Sequence, residues 1–143
     1  METYITATRH HDFDAGHRVY QHQGQCHRIH GHGYRAYFTC RAPALNELGM
    51  VIDFGLMKTR LCKWIDDNWD HRFLLWQDDP LVPVFKQCGP ESLVLLPHLP
   101  TAENMASYLL NVIGPQQLKG TAVQLVEVIV EETRKCSAKA TLL

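Results

Sequence analysis

His30-Gly31-His32 is the stretch of this sequence best suited to chemistry. Residues two apart on an extended strand point to the same face, so both imidazoles can present a ring nitrogen to one metal ion. A third imidazole is available from His17, in Phe13-Asp14-Ala15-Gly16-His17, if a strand there pairs beside His30–Tyr34. Three imidazoles suit zinc, whose catalytic sites keep a fourth position for water or substrate. The spacing leaves two other readings open. His30 and His32 could be ordinary strand histidines, or Cys26 could join His17, His30 and His32 and close a purely structural tetrahedron.

Three further groups could act beside such a centre. Cys26 lies four residues before His30, where a cation would lower its pKa and make the thiol a usable general base; an inert buried thiol is the alternative. Asp70-His71 could form a carboxylate–imidazole pair in which Asp70 orients the ring, although neighbours in sequence need not face each other and the pair also reads as the end of a helix. Glu132 follows the alternating apolar residues Val126, Val128 and Val130, so its carboxylate needs a donor in a partly dry setting. A planar heterocycle with a ring N–H beside an exocyclic amine would meet both oxygens in a fork, and an arginine or a backbone amide would serve as well.

These residues must be positioned by a chain of 143 residues, 45% hydrophobic and 20% charged, with net charge -1, which describes one globular domain spanning 1–143. No linker or repeat divides it. No apolar run reaches the roughly 18 residues of a spanning helix, and the polar start Met1–His11 lacks a signal-peptide core, so a cytoplasmic location is expected. Near-neutral charge argues against nucleic acid as a partner. Five scattered cysteines without a CxxC pair read as reduced thiols.

Periodicity predicts strands over Tyr4–Asp14 and His30–Arg41, then a helix capped by Asp53 and ending near Trp69. Asp78–Pro100 reads as an ordered loop. A second helix follows Pro100-Thr101 and is stopped by Gly114-Pro115, and a last strand covers Ala122–Thr133 with Val126, Val128, Val130 and Glu132 on one face. The order gives an α+β domain of mainly antiparallel strands with helices on one side, whose bare edges call for oligomerisation.

Taken together, six fragments in register resemble the 6-pyruvoyl-tetrahydropterin synthase and 6-carboxy-tetrahydropterin synthase family. They are Phe13–His17, Cys26–His32, Gly49–Phe54, Asp70-His71, Pro100–Asn104 and Glu132-Thr133, which together span almost the whole chain. The resemblance implies the tunnelling fold, with an antiparallel four-stranded sheet, two helices on one face, and sheets closed into a barrel in a homohexamer built as a dimer of trimers. It implies catalytic Zn²⁺ on His17, His30 and His32, Cys26 as general base, and Asp70 with His71 as a proton relay from a neighbouring subunit. It also implies that Glu132 anchors the pterin, with Thr133 and Thr101 as further substrate contacts.

The substrate implied is 7,8-dihydroneopterin triphosphate. The short Cys26-to-His30 spacing and the compact chain resemble the carboxy branch, which yields 6-carboxy-5,6,7,8-tetrahydropterin, acetaldehyde and triphosphate for queuosine and other 7-deazapurines. The pyruvoyl branch toward tetrahydrobiopterin, a zinc-stabilised pterin-binding protein without turnover, and a zinc hydrolase are the alternatives. Three departures from the family pattern stand out: Ala15-Gly16 before the first histidine, a long Asp78–Leu99 connection, and an end, Lys135–Leu143, without an aromatic residue.

Overall fold

Alternating apolar side chains make Thr6–His17 (β1) and His30–Arg41 (β2) long strands in the computed structural model, which describes residues 1–143. They pair antiparallel with Phe13 opposite Tyr34, Ala15 opposite His32 and His17 opposite His30. Phe13, Ala15, His17, Tyr34, Ala36, Phe38 and Cys40 are all buried on one face. β1 runs past Asp14, where the sequence reading ends it, because β2 pairs with it as far as His17 and Arg72–Trp76 (β3) lies along Ala15–His17 on its other side.

A helix over 54–68 (α1) follows. The Asp53 carboxylate accepts from the Gly55 amide as its cap, and Met57, Leu61 and Ile65 are buried at helical spacing. Its middle turn, Lys58–Cys62, is wound wide, with the Lys63 N–H reaching back five residues to the Lys58 carbonyl.

Asp78–Pro100 is not a loop. It holds a helix, Val82–Cys88 (α2), and a strand, Leu93–Leu96 (β4), with β3 parallel to β1 and β4 parallel to β3. Phe73-Leu74-Leu75 and Leu93–Leu96 are unbroken apolar runs, as parallel strands commonly are, and such runs show no period from which to read them. The Phe85 ring of α2 stacks on Phe73 with centroids 4.4 Å apart, on the sheet face away from Leu74 and the main core.

The helix over 102–117 (α3) is capped by Thr101, whose Oγ1 accepts from the Asn104 amide at 3.1 Å. Gly114-Pro115 does not stop it. In the wide turn Leu109–Ile113 the Gly114 N–H reaches back to the Leu109 carbonyl, and loosening the turn there accommodates the proline ring that would clash in a regular helix. Gly114 is needed for close packing, since a Cβ there would sit 2.5 Å from Leu125 Cδ2.

Gln124–Glu131 (β5) pairs with β2, and Ser137–Thr141 (β6) pairs with β5. A bulge opposite Thr39/Cys40 shifts the alternation, so Leu125 rather than Val126 joins Val128 and Val130 in the core. The sheet is therefore six-stranded and mixed, in the order β4-β3-β1-β2-β5-β6, where the four-stranded antiparallel sheet was expected. In β6, Ser-Ala-Lys-Ala-Thr, only Thr141 favours a strand, and pairing with β5 is what makes the segment one. α1 and α3 bury their apolar stripes against β1, β2 and β5 in one core. No helix is long and apolar enough to cross a membrane, and all five cysteines are free.

Candidate functional site

The rungs of the β1–β2 ladder place the three histidines together. His17 and His30 face each other across the pair, while His32 sits on the next rung opposite Ala15, whose methyl leaves room for the imidazole. The nearest ring nitrogens of all three lie within 4.8 Å of one another. His17 is 1% exposed and its Nδ1 donates to the Pro100 carbonyl at 2.8 Å; His30 Nδ1 donates to the Arg28 carbonyl at 2.6 Å. A carbonyl can only accept, so each Nδ1 holds the proton and each Nε2 presents a lone pair.

Those two Nε2 atoms are 3.1 Å apart, and His32 Nε2 is buried without a hydrogen-bond partner. Lone pairs held this close repel unless a cation lies between them. A proton is a poor candidate, because burial pushes the His17 pKa down to about 4, with His30 and His32 adding to the effect against the Pro100 hydrogen bond. Burial also lowers the pKa of His32, against the pull of Glu132. Two imidazoles about 2.0–2.1 Å from one tetrahedral zinc ion would be about 3.3 Å apart, so the residues present fit a divalent metal.

Cys26 lies in the short helical turn Gln25–His27 and is partly buried. Its carbonyl accepts from the Val19 amide at 2.7 Å, which closes the loop between β1 and β2. Its thiol is not one of the clustered donor atoms, so the arrangement is an open set of three imidazoles and not a closed Cys-His tetrahedron. The neighbouring His27 is exposed, and its Nδ1 donates to the Gly24 carbonyl at 2.5 Å within its own turn.

Glu132 closes one side of the histidine cluster. Its Oε1 lies 3.6 Å from His17 Nε2 and 3.7 Å from His32 Nε2, and no lysine or arginine pairs with it. The carboxylate, 23% exposed, is thus free to accept from a ligand.

Asp70 and His71 stand apart from the three histidines and cluster with Asp14 instead. The sheet alternation turns Asp14 away from the face of Phe13, Ala15 and His17. Asp70 Oδ1 accepts from the Asp14 amide at 2.9 Å, and Asp70 Oδ2 lies 2.9 Å from His71 Nδ1. The hydrogen bond and charge of Asp70 raise the His71 pKa. Burial pushes the Asp70 carboxyl up, but the Asp14 amide and the His71 ring outweigh it and leave it below the usual carboxylate range. His71 is 77% exposed and its φ is 58°, so a left-handed backbone turns it into solvent.

The two threonines have local duties. Thr101 caps α3, and Thr133 Oγ1 accepts from the Lys135 and Cys136 amides in the β5–β6 turn. Sequence reasoning missed three groups around the centre. The Pro100 and Arg28 carbonyls that aim the imidazoles leave no side-chain signal. Asp79, 2% exposed, pairs with Arg18 next to His17 through contacts of 2.8 and 2.5 Å, and it too gives none. Tyr34 was legible, being the next residue on the face of His30 and His32. It is buried, its hydroxyl has no partner, and burial first, then Glu132 and Cys26, push its pKa up.

Comparison with known proteins gives matches over most of the chain. The profile of the family described as 6-pyruvoyl tetrahydropterin synthase matches residues 6–142. A Rickettsia felis protein named 6-carboxy-5,6,7,8-tetrahydropterin synthase is 40% identical over 133 residues, covering 92% of this chain and 96% of that protein. An uncharacterized protein from Wolinella succinogenes shares the fold, with a TM-score of 0.85 at 24% identity over 99% of this chain and 100% of that one. The structure of Caenorhabditis elegans 6-pyruvoyl tetrahydropterin synthase aligns at a TM-score of 0.66 and 25% identity, over 99% and 97% of the two chains.

Proposed function

Because the chain belongs to the 6-pyruvoyl tetrahydropterin synthase family, we propose that it is a zinc-dependent pterin synthase of the carboxy branch. It converts 7,8-dihydroneopterin triphosphate and one water to 6-carboxy-5,6,7,8-tetrahydropterin, acetaldehyde and triphosphate, for use in queuosine and 7-deazapurine synthesis. The observation that carries the reading is the set of three imidazoles whose free Nε2 atoms converge beside an unpaired carboxylate. Relatives near 40% identity that are named 6-carboxy-5,6,7,8-tetrahydropterin synthase support the carboxy branch.

His17, His30 and His32 would hold the zinc, which when bound acidifies the hydroxyls of the substrate side chain. Glu132 receives the 2-amino group and ring N–H of the pterin in a fork, which fixes the side chain against the imidazoles. Cys26, on the loop that leads into His30, takes a proton from the side chain, and the triphosphate departs by elimination. Asp70 holds His71 in its proton-bearing form, and that imidazole serves the site of a neighbouring chain. A homohexamer, formed as a dimer of trimers in the cytoplasm, supplies those neighbours.

Zinc-loaded protein incubated anaerobically with 7,8-dihydroneopterin triphosphate should release 6-carboxy-tetrahydropterin and acetaldehyde, identified by mass spectrometry. A chelator should abolish the products and added zinc restore them. 6-Pyruvoyl-tetrahydropterin with triphosphate alone would move the protein to the other branch, and no turnover with zinc bound would make it a binding protein.

A further inference from the structure

The rung of the β1–β2 ladder next to the histidines is Phe13 opposite Tyr34, with rings stacked 5.0 Å apart at 12°. The Tyr34 ring also stands edge-on to His32 at 5.5 Å and to His17 at 6.0 Å. A phenylalanine would serve this stacking as well. The oxygen is what needs explaining: Tyr34 is 2% exposed and its hydroxyl has no hydrogen-bond partner. Burying an unpaired hydroxyl is costly, and such groups in native proteins mark a site where something else supplies the partner. Tyr34 follows His32 on the same face of β2, and its ring meets both His17 and His32, which places the phenol beside the histidine cluster.

We propose that the Tyr34 hydroxyl is a ligand-positioning donor of the three-histidine site, giving its hydrogen bond to an acceptor atom of a pterin held between Glu132 and the imidazoles. The inference rests on the pterin reading above and adds one residue to it. Ring packing against Phe13, His17 and His32 fixes the phenol, so the donor is set before the ligand arrives and little side-chain entropy is lost on binding.

The test is Tyr34→Phe, which removes one oxygen and keeps the ring. Zinc-loaded wild type and variant are titrated with 7,8-dihydroneopterin by its fluorescence, zinc affinity is measured by chelator competition, and thermal unfolding is recorded. The expected result is pterin binding weakened about five- to tenfold, the worth of one hydrogen bond. Zinc affinity should stay unchanged and Tm should be equal or higher, since an unpaired buried hydroxyl is gone. Unchanged pterin affinity would overturn the proposal, as would a fall in Tm or zinc affinity that accounts for the weaker binding. Wild-type protein that binds zinc and no pterin would overturn the pterin reading itself, and this inference with it.

Discussion

The proton inventory of the site is divided between two environments. At the buried centre His17 is neutral well below its ordinary pKa, as a metal ligand requires, while exposed His71 leans the other way because Asp70 holds its proton. In an NMR titration His71 should therefore change charge above pH 6.5, and Asp70→Asn should bring its midpoint back down. The sign for stability follows from linkage. A raised histidine pKa favours the folded state below the unfolded value of about 6.5, and that contribution is lost as pH rises through the folded pKa. A His71 midpoint that ignores Asp70→Asn would remove the pair as a relay. The histidines could be read from the sequence because i, i+2 spacing on a strand fixes a shared face; the carbonyls of Pro100 and Arg28 could not, because any residue carries a carbonyl.

Between the residues and the fold stand the elements that hold them, and a buried ion pair anchors the start of the segment 78–99. Asp79 receives Arg18 in a two-point contact and also accepts from the Leu81 amide, so it anchors the turn between β3 and α2 to the residue that follows His17. Asp79→Ala leaves the guanidinium largely buried and unpaired, and should destabilise the protein by about 3 kcal/mol, measured by urea unfolding. A change under about 0.5 kcal/mol would mean the segment is anchored elsewhere. The caps Asp53 and Thr101 were legible because short polar side chains before apolar periodicity have one local use. The parallel strands β3 and β4 were not, since a short apolar run is equally a piece of helix, and neither was the shifted face of β5, because a bulge is set by the partner strand.

At the scale of the molecule, the sheet ends in open edges at β4 and β6, and Leu95 on β4 and Val84 on α2 are exposed. One chain also separates the groups that the proposed reaction would use, with the histidines and Glu132 together and Asp70-His71 in a different cluster. If neighbouring chains complete each other's sites, Cys26→Ala and His71→Ala proteins, each inactive alone, should regain activity when unfolded and refolded together. Random assembly would leave about one quarter of the sites with both groups intact. No recovery in mixed assemblies would mean that each chain works alone. The family and its α+β class were legible from six short fragments in register, whereas the number of strands was not, because pairing between distant segments decides whether a weak run such as Ser137–Thr141 becomes a strand.

The hydrogen bond from His17 to the Pro100 carbonyl joins residues 83 apart in the chain. On the ribosome the β1–β2 hairpin emerges first and can gather its histidines by itself, while the acceptor that aims His17 is made some 70 residues after His32, on the order of ten seconds later. A nascent hairpin would thus offer a loose, exposed trio of imidazoles to any borderline first-row metal ion nearby, and the contact that fixes His17 arrives only with the residues leading into α3. In the proposed zinc enzyme the geometry that would select the metal is therefore completed only after the second half of the chain has been made.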